Sequence, residues 1–395
     1  MAEFQYLILG AGMTADAAVR GIRDIDQQGS IGLVGSENFP PYNRPPLSKG
    51  LWKGKSLDTI WRRTEEFNVD LHLGRRIVSL DVAQRRLVDD QGEVYSGEKV
   101  LLATGGAPRH LPFGGDEIIY FRTLDDYQRL AKMSASGMNF AIIGGGFIGS
   151  EVSAALRMNG SQVTMLFPDD GIGALIFPRD LSQYLNDYYR EKGVEVLAGE
   201  LITGLELDKG RKVLHTKSGR EVVADGVVAG IGIIPNIELA KQAGLQVARG
   251  ILVDEYLVTS QPGIYAAGDV AEFFNPTLGK RLRVEHEDNA NTMGRIVGHN
   301  MAGASEPYHH LPFFFSDLFE LGYEAVGELD SRLETVVDWE EPYKKGVIYY
   351  LNEQRVRGVL LWNVWNKISS ARQLIAAPGP FKLADTAQLK SLLGI

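Results

Sequence analysis

The sequence predicts an α/β protein that contains two copies of a strand–helix–strand repeat and ends in an α+β domain. Two segments, which begin at Tyr6 (YLILGAGMTADAAVRGI) and at Phe140 (FAIIGGGFIGSEVSAAL), share an apolar run, a glycine turn and an alanine-rich helix pattern. Each apolar run is short and uninterrupted, which is typical of a parallel strand buried on both faces. From about residue 310 the pattern changes, because GVIYYLNEQRVRGVLLWN alternates as antiparallel strands do.

The other elements follow in chain order. The second strand of each repeat is predicted in SIGLVG and QVTMLF, and each is followed by a hairpin-like stretch and a strand with a glycine exit. After Pro235 the chain runs through the strand-like ILVDEYLVTSQPGIYAAGDV, and helices are predicted at ISSARQLI and TAQLKSLL. This order predicts a first domain at 1–113 that resumes at 236–309, a second at 114–235 and a C-terminal domain at 310–395.

The composition excludes several classes of protein. Of the 395 residues, 44% are hydrophobic and 23% are charged, which is typical of a globular protein rather than a disordered one. A formal net charge of −9 argues against a nucleic-acid partner. The sequence contains no cysteine, which excludes disulfides, thiolate zinc sites, iron–sulfur clusters and dithiol relays. It shows neither an apolar run of about 18 residues nor a secretory signal, so we expect a cytoplasmic protein without a membrane partner.

A glycine fingerprint joins strand to helix in both repeats. Gly10, Gly12 and Ala15 form the pattern G-x-G-x-x-A, in which the first glycine allows a tight turn and the second lets a pyrophosphate approach the backbone. The third small residue lets the helix pack on the strand, and the helix N-terminus presents N–H groups to the phosphates. The second repeat carries the pattern at Gly144, Gly146 and Gly149. The repetition predicts two Rossmann-like dinucleotide-binding domains rather than two purely structural repeats.

Acidic residues after the second strands are candidates for binding an adenosine ribose. In the first repeat the candidate is Glu37, with Ser36 beside it, and an ordinary surface glutamate is the alternative. In the second repeat the strand leads into Asp169 and Asp170, with no arginine immediately beside them to take a 2′-phosphate. These two aspartates favour NADH over NADPH.

The loop PPYNRPPLSKGLW is rich in proline, which restricts its backbone and would hold Arg44 and Lys49 in place. An arginine suits a pyrophosphate, and a lysine suits a flavin that becomes anionic on reduction. Glu151 follows the second fingerprint, and we expect it in the first turn of the helix, where NADH phosphates would repel it unless a cation is near. Lys49 is the natural partner. The alternatives are a rigid surface loop and a glutamate that only stabilises the helix N-terminus.

Three further features carry candidate residues. Phe147, inside the second glycine turn, either covers a nicotinamide pocket or packs against neighbours. Gly268 and Asp269 end an apolar strand and place a carboxylate where ribityl hydroxyls could bind, with an Asx turn as the alternative. Glu285 and His286 lie at the start of a predicted helix whose dipole would favour a reduced flavin. We predict no metal site, because no second ligand set accompanies this acidic cluster.

With these residues the chain resembles the pyridine-nucleotide–disulfide reductase superfamily without its cysteines. It is most similar to the branch that contains apoptosis-inducing factor and the oxygenase-coupled ferredoxin reductases. The phrases that carry the resemblance run through nearly the whole chain in order: PYNRPPLSK, ATGGAPR, GGGFIGSE, LFPDDG, PNIELA, AAGDVAEF, RVEHEDNA and FFFSDL.

The resemblance implies a glutathione-reductase-like architecture, with FAD at the first repeat and NADH at the second. It also implies a C-terminal domain that forms an interface, which is compatible with a homodimer. Lys49 and Glu151 match the family's pair beside flavin N5, and His286 matches a histidine near the flavin and nicotinamide. Phe315 stands where the family has tryptophan, and the family's FAD-ribose acid aligns nearer Ser36 than Glu37. The remaining residues implied to contact a cofactor are Arg44, Thr104, Gly105, Phe147, Ile148, Asp169, Gly232 and Asp269.

The sequence thus predicts an FAD-dependent oxidoreductase that takes a hydride from NADH C4 to flavin N5 and then passes electrons to an acceptor. Without cysteine, the electrons cannot leave through a protein disulfide, so a ferredoxin-type protein, a quinone, a small oxidant or oxygen must take them. The predicted catalytic residues are Lys49, Glu151, His286 and Phe315. The alternative is a redox-responsive binding protein, in which the charge-transfer state of the NADH-reduced flavin controls dimerisation or partner binding.

Overall fold

The computed structural model describes residues 1–134, 137–381 and 386–394. Its chain divides into two units. The first unit contains Met1–Asn43, Leu57–Ala107 and Ile234–Phe313. The second unit contains Arg44–Ser56, Pro108–Ile233 and Phe314–Ile395. This division assigns the proline-rich loop and the C-terminal residues to the unit that holds the second repeat, whereas the four-segment domain division stays a prediction.

The regular elements of the N-terminal third, in chain order, are β1 (Ala2–Leu9), α1 (Met13–Ile25), β2 (Ile31–Val34), β3 (Val69–His72), β4 (Ile77–Asp81), β5 (Arg86–Asp89), β6 (Val94–Leu102) and β7 (Gly106–Pro108). The next stretch contains β8 (Ile118–Tyr120), α2 (Leu124–Ser134), β9 (Asn139–Ile143), α3 (Phe147–Met158), β10 (Gln162–Phe167), α4 (Arg179–Glu191), β11 (Val194–Ala198), β12 (Ile202–Asp208), β13 (Arg211–Thr216), β14 (Glu221–Ala224), β15 (Gly226–Ala229) and β16 (Ile233–Pro235).

The elements that follow are α5 (Glu238–Gln242), β17 (Ile251–Leu252), β18 (Ile264–Ala266), β19 (Ala271–Asn275), β20 (Lys280–Leu282) and α6 (Glu287–Met301). The chain ends with β21 (Phe313–Leu318), β22 (Leu321–Gly327), β23 (Glu334–Glu341), β24 (Lys345–Asn352), β25 (Arg355–Trp362), α7 (Ile368–Ala376) and α8 (Thr386–Leu393).

The first unit is built on a sheet with the strand order β3-β2-β1-β6-β5-β4, with β18 paired to β6. Strand β1 runs parallel to both β2 and β6, and Leu9 is in register with Val34 and Leu102. Because the carboxyl ends of parallel strands meet at one edge, the loops that follow β1, β2 and β6 emerge together there. These loops carry the first glycine turn, Ser36 and Glu37, and Thr104 and Gly105. The predicted strand–helix–strand repeat is confirmed.

Helices α1 and α6 cross closely in the first unit because glycines occupy their contact. A Cβ at Gly294 would lie 2.5 Å from the carbonyl oxygen of Thr14, and one at Gly298 would lie 2.2 Å from that of Ala18. Real Cβ atoms do not approach an oxygen so closely, so a larger residue would push the helices apart. This contact places the middle of α6 against the first turn of α1, since Gly294 is the eighth residue of α6 and Thr14 is the second residue of α1.

Asp16 of α1 is a fully buried carboxylate in the first unit. It pairs with the Arg62 guanidinium at 2.6 Å and with that of Arg20 at 2.8 Å, and it accepts a hydrogen bond from the Thr64 hydroxyl at 2.7 Å. Arg62 also donates to the side-chain oxygen of Asn43, the residue before the proline-rich loop of Arg44–Ser56. The cluster therefore secures, within the first unit, the chain on both sides of that loop.

We expect Asp16→Ala to lower the free energy of unfolding by about 3–5 kcal/mol, because it leaves the Arg62 guanidinium without its buried partner. Arg20→Ala should cost about 1 kcal/mol or less, since the Arg20 side chain is 38% exposed and its pair is partly screened. Urea unfolding followed by circular dichroism measures both losses. Equal losses for the two variants would contradict this account.

The second unit contains a parallel sheet with the order β11-β10-β9-β15-β8, and an antiparallel sheet with the order β12-β13-β14. The C-terminal strands form an antiparallel sheet with the order β21-β22-β25-β24-β23, against which α7 packs. The predicted antiparallel C-terminal sheet and its helices at Ile368–Ala376 and Thr386–Leu393 are confirmed. Of the helices within the described ranges, none combines the length and apolar character that a bilayer crossing requires.

Candidate active site

The first glycine turn has the geometry that a pyrophosphate requires. Gly10 adopts a φ of +122°, and a Cβ there would lie 2.2 Å from the carbonyl oxygen of Ala103. At Gly12 the space is open: apart from the residues next to it in the chain, no described residue comes within 4 Å of the position that a Cβ would take. Helix α1 begins at Met13, so its first N–H groups face this opening. One glycine thus makes the turn, and the other leaves room for a ligand.

The second glycine turn repeats this arrangement in the second unit. A Cβ at Gly144, where φ is +115°, would lie 2.5 Å from the carbonyl oxygen of Gly230, and one at Gly149 would lie 2.0 Å from that of Gly144. At Gly146, as at Gly232, no described residue other than those next to it in the chain comes within 4 Å of a Cβ position. The turns therefore fit two dinucleotides.

Helix α3 starts at Phe147, which corrects one prediction. Glu151 is the fifth residue of the helix and lies beyond its first turn, which contains no acidic residue. The reason is that the turn ends at Gly146, so the helix has already begun when it reaches Gly149. A helix dipole acts within the first turn, so this position weakens the alternative in which Glu151 only stabilises the N-terminus.

Glu151 instead lies at the centre of a buried polar cluster in the second unit. The Lys49 ammonium lies 2.6 Å from its Oε1, and the two side chains are 13% and 3% exposed. The Ser316 hydroxyl donates to the same oxygen at 2.5 Å, and the Ser48 hydroxyl donates to Oε2 at 2.6 Å. The ion pair suggested by charge repulsion in the sequence is therefore present, and both carboxylate oxygens are hydrogen-bonded.

Aromatic rings flank this cluster. The Lys49 ammonium lies 5.2 Å from the centroid of the Phe315 ring, a distance at which a cation and a ring attract. Phe147 contacts Phe314 edge to face, with centroids 5.5 Å apart. Packing is thus one role of Phe147, and the covering of a nicotinamide stays a prediction.

Two buried tyrosines face the same carboxylate. Burial raises the pKa of Tyr189 well above its ordinary value, and the negative charge of Glu151 raises it further. Burial and Glu151 raise the pKa of Tyr323 in the same way. Both hydroxyls therefore remain neutral, so they add no negative charge around Glu151. Sequence reasoning assigned no role to either tyrosine or to the two serines, although Ser48 lies in the phrase PYNRPPLSK beside Lys49 and Ser316 lies in FFFSDL beside Phe315.

In the first unit, the predicted flavin contacts lie at the ends of strands and helices. Asp269 follows Gly268, whose φ is +79°, and the Asp269 carbonyl accepts a hydrogen bond from Arg283 at 3.1 Å. Arg283 also pairs with Glu285 at 2.6 Å. His286 is the residue immediately before α6, where its backbone is extended. Sequence reasoning missed Arg283, which joins two predicted residues although it belongs to the same phrase, RVEHEDNA.

The other predicted residues of the first unit also have defined contacts. Glu37 accepts a hydrogen bond from the Tyr42 hydroxyl at 2.5 Å. Thr104 and Asn236 exchange hydrogen bonds at 3.0 and 2.8 Å, and the Gly105 carbonyl accepts one from the Asn236 N–H at 3.0 Å. Asn236, from the phrase PNIELA, therefore stabilises the loop after β6, a role that the sequence did not indicate.

In the second unit, Arg44 donates to the carbonyl oxygen of Arg122 at 2.9 Å. The Asp169 carbonyl accepts a hydrogen bond from the Gly199 N–H at 3.0 Å. Arg179 lies 3.5 Å from Asp170, so the fold brings a cation to a place where the neighbouring sequence has none. Within the described residues, no group of three or more histidine and acidic side chains is arranged to hold a metal ion.

The family model described as pyridine nucleotide-disulphide oxidoreductase matches residues 4–294. The chain belongs to this family. A second model, the C-terminal domain of mitochondrion-associated apoptosis-inducing factor, matches residues 297–341 and 337–377. The predicted resemblance is therefore confirmed. The chain is an FAD-dependent NAD(P)H oxidoreductase of the ferredoxin reductase-like type.

The relatives include both kinds of protein in the predicted branch. Apoptosis-inducing factor 1 of Dictyostelium discoideum is 32% identical, over 94% of this chain and 78% of that protein. The ferredoxin–NAD(+) reductase component of the anthranilate 1,2-dioxygenase system of Burkholderia cepacia is 32% identical, over 100% of both chains. Among solved structures, the reductase of the covalent putidaredoxin reductase–putidaredoxin complex superposes with a TM-score of 0.91 at 28% identity, over 100% of this chain and 99% of that one.

Proposed function

We propose that this protein takes a hydride from NADH onto the N5 atom of FAD and passes the electrons to a ferredoxin-type iron–sulfur protein. The observation that carries the proposal is the largely buried pair of Glu151, which lies in the helix after the second glycine turn, and Lys49 of the proline-rich loop, whose ammonium lies 2.6 Å from the carboxylate. A buried ion pair contributes little net stability compared with apolar packing, so its presence beside a nucleotide-binding turn favours a chemical role.

In this proposal the residues of this chain bind FAD and NADH, orient the groups that react and neutralise the negative charge that develops. The glycine turns at Gly12 and Gly146 receive the pyrophosphates of FAD and NADH, with helix N–H groups as donors. Asp269 accepts hydrogen bonds from hydroxyl groups of the FAD ribityl chain. Lys49, oriented by Glu151, supplies positive charge where negative charge develops. Bound FAD supplies the chemistry that a side chain lacks, because it accepts two electrons at once and releases them one at a time.

The relatives favour a ferredoxin-type acceptor. Relatives at 32% and 29% identity bear the names of a ferredoxin–NAD(+) reductase component and of putidaredoxin reductase, and the solved complex contains putidaredoxin itself. The absence of cysteine rules out an electron relay through a disulfide of this chain, but it does not distinguish a ferredoxin from the other acceptors. A quinone, a small oxidant and oxygen are the competing acceptors.

The test is a comparison of acceptors with purified protein reconstituted with FAD. NADH should bleach the visible flavin absorbance within milliseconds to seconds, and a [2Fe–2S] ferredoxin should then restore it much faster than oxygen or a quinone does. NADPH in place of NADH should react more slowly. If NADH leaves the absorbance unchanged, the proposal is wrong. If a quinone reoxidises the flavin faster than every ferredoxin tested, the proposed acceptor is wrong, whereas the proposed hydride transfer from NADH to FAD is unaffected.

The match of residues 297–377 to the apoptosis-inducing factor domain favours a second candidate function. In this candidate, reduction by NADH changes dimerisation or partner binding, and turnover is incidental. Light scattering with and without NADH under anaerobic conditions distinguishes the two. A doubling of mass with NADH, together with slow reoxidation in air, would support the second candidate. An unchanged mass with fast ferredoxin reduction would support the first.

A further inference from the structure

Two serine hydroxyls donate hydrogen bonds to the carboxylate of Glu151. Ser48 donates to Oε2 at 2.6 Å and Ser316 donates to Oε1 at 2.5 Å, while Lys49 pairs with Oε1. The three residues that surround the carboxylate come from two segments, which lie 103 and 165 residues from it in the chain. Ser48 is 6% exposed, Ser316 is 1% exposed and Glu151 is 4% exposed, so water takes little part in these contacts.

Each serine directly adjoins a predicted catalytic residue. Ser48 precedes Lys49, and Ser316 follows Phe315 in β21. A hydroxyl fixed on Glu151 therefore fixes the backbone from which the neighbouring functional side chain extends. Through its two oxygens, one carboxylate sets the position of the Lys49 ammonium and of the strand that carries Phe315.

We propose that Ser48 and Ser316 are positioning residues, which orient Lys49 and Phe315 for hydride transfer by holding both oxygens of Glu151. This inference rests on the proposed function and extends it to two residues that touch neither reacting centre. Hydrogen bonds to a charged group are short and strong, and a buried carboxylate that loses one turns or draws in water. Either change moves the Lys49 ammonium, and a displacement of about 1 Å from the reacting geometry can cost up to about 100-fold in rate.

Neither neighbouring tyrosine adds a charge beside Glu151, and Tyr189 is not free to replace a lost serine hydroxyl. Because burial and Glu151 raise the pKa of Tyr189 and of Tyr323, neither hydroxyl carries a charge that competes for Lys49. The Tyr189 hydroxyl donates to the carbonyl oxygen of Ser150 at 3.1 Å. This donor is thus already engaged with the main chain, and we do not expect it to replace a serine hydroxyl on Glu151.

The experiment is a double-mutant cycle in the FAD-loaded protein. Ser48→Ala and Ser316→Ala are each made in the parent protein and in Lys49→Met, which removes the ammonium but keeps most of the side-chain volume. The rate constant for flavin reduction by NADH and the midpoint potential of the bound FAD are measured for every variant. A residue that acts through Lys49 loses its effect once Lys49 is gone, whereas a merely structural residue keeps it.

In the parent protein, each serine variant should slow flavin reduction about 10-fold or more, with little change in KM for NADH. Each should also make the midpoint potential more negative, because the positive charge is less well held against the reduced state. In Lys49→Met, the same substitutions should change the rate by less than about twofold. Ser316→Thr keeps a hydroxyl at this position and suits a strand, so this variant should keep most of the parent rate that Ser316→Ala loses.

The matched control is Ser182→Ala. Ser182 is a 2% exposed serine of α4 whose hydroxyl donates to the carbonyl oxygen of Ile172 at 2.7 Å, away from Glu151. It should lower stability and leave the rate and the potential unchanged. Equal loss of rate in the parent and Lys49→Met backgrounds, or no loss in either, would overturn the positioning role. A parent protein that NADH does not reduce would instead overturn the proposed function.

Discussion

Lys49→Met should slow the reduction of bound FAD by NADH by about 100-fold or more, the scale of losing one preorganised electrostatic group. The physical reason is the geometry of the pair: the ammonium lies 2.6 Å from Glu151 and 5.2 Å from the Phe315 ring, in surroundings that leave it 13% exposed. Because water screens charges poorly at a buried site, the positive charge of Lys49 interacts strongly with nearby negative charge. Stopped-flow absorbance with NADH measures the rate.

The same substitution should lower the free energy of unfolding by about 3 kcal/mol, because it leaves a buried carboxylate without its cation. The double variant Lys49→Met/Glu151→Gln should recover part of this loss, since a neutral amide costs less to bury. Recovery of stability without recovery of the reduction rate would separate the structural from the chemical part of the pair. Urea unfolding of the protein without FAD provides the stability values.

Lys53 is the matched control for Lys49. It belongs to the same segment and pairs at 3.1 Å with Asp317, a residue of the strand that contains Phe315, but the two side chains are 47% and 39% exposed. Lys53→Met should therefore change stability by about 1 kcal/mol or less and leave the reduction rate unchanged. If Lys53→Met slows flavin reduction as much as Lys49→Met does, the special role of the buried pair is wrong.

Gly10→Ala should lower the stability of the protein, whereas Gly12→Ala should chiefly weaken its binding of FAD. At Gly10, a φ of +122° and a carbonyl oxygen 2.2 Å from the new Cβ should cost roughly 2–4 kcal/mol in the protein without FAD. Gly12→Ala should leave that stability nearly unchanged, because its Cβ enters open space. It should nevertheless weaken FAD binding about 100-fold, since the methyl group occupies the path by which the pyrophosphate reaches the helix N-terminus.

Thermal unfolding of the protein without FAD and titration with FAD measure these two effects separately. The corresponding pair in the second unit, Gly144→Ala and Gly146→Ala, should behave in the same way towards NADH, because the turns have matching geometry. An unchanged FAD affinity in Gly12→Ala would show that the opening at this turn is not the pyrophosphate path.

The sequence by itself determined the features that depend on short-range geometry. Glycine turns at Gly10 and Gly144, the strand that ends at Phe167 and the helix that follows His286 all depend on local backbone preference and hydrophobic period, which a few neighbouring residues fix. The pairing of Lys49 with Glu151 could also be predicted from the sequence, since a carboxylate beside phosphates needs a cation and few segments could supply one.

Only the tertiary structure decided the contacts between distant parts of the chain. Ser48 and Ser316 meet Glu151 from 103 and 165 residues away, and Arg62 meets Asp16 from 46 residues away. Ser48 and Ser316 lie in phrases that mark the family, but those phrases do not say which side chain each hydroxyl contacts. Their partners are set by which elements pack together, because burial leaves each polar group only the neighbours that the fold provides.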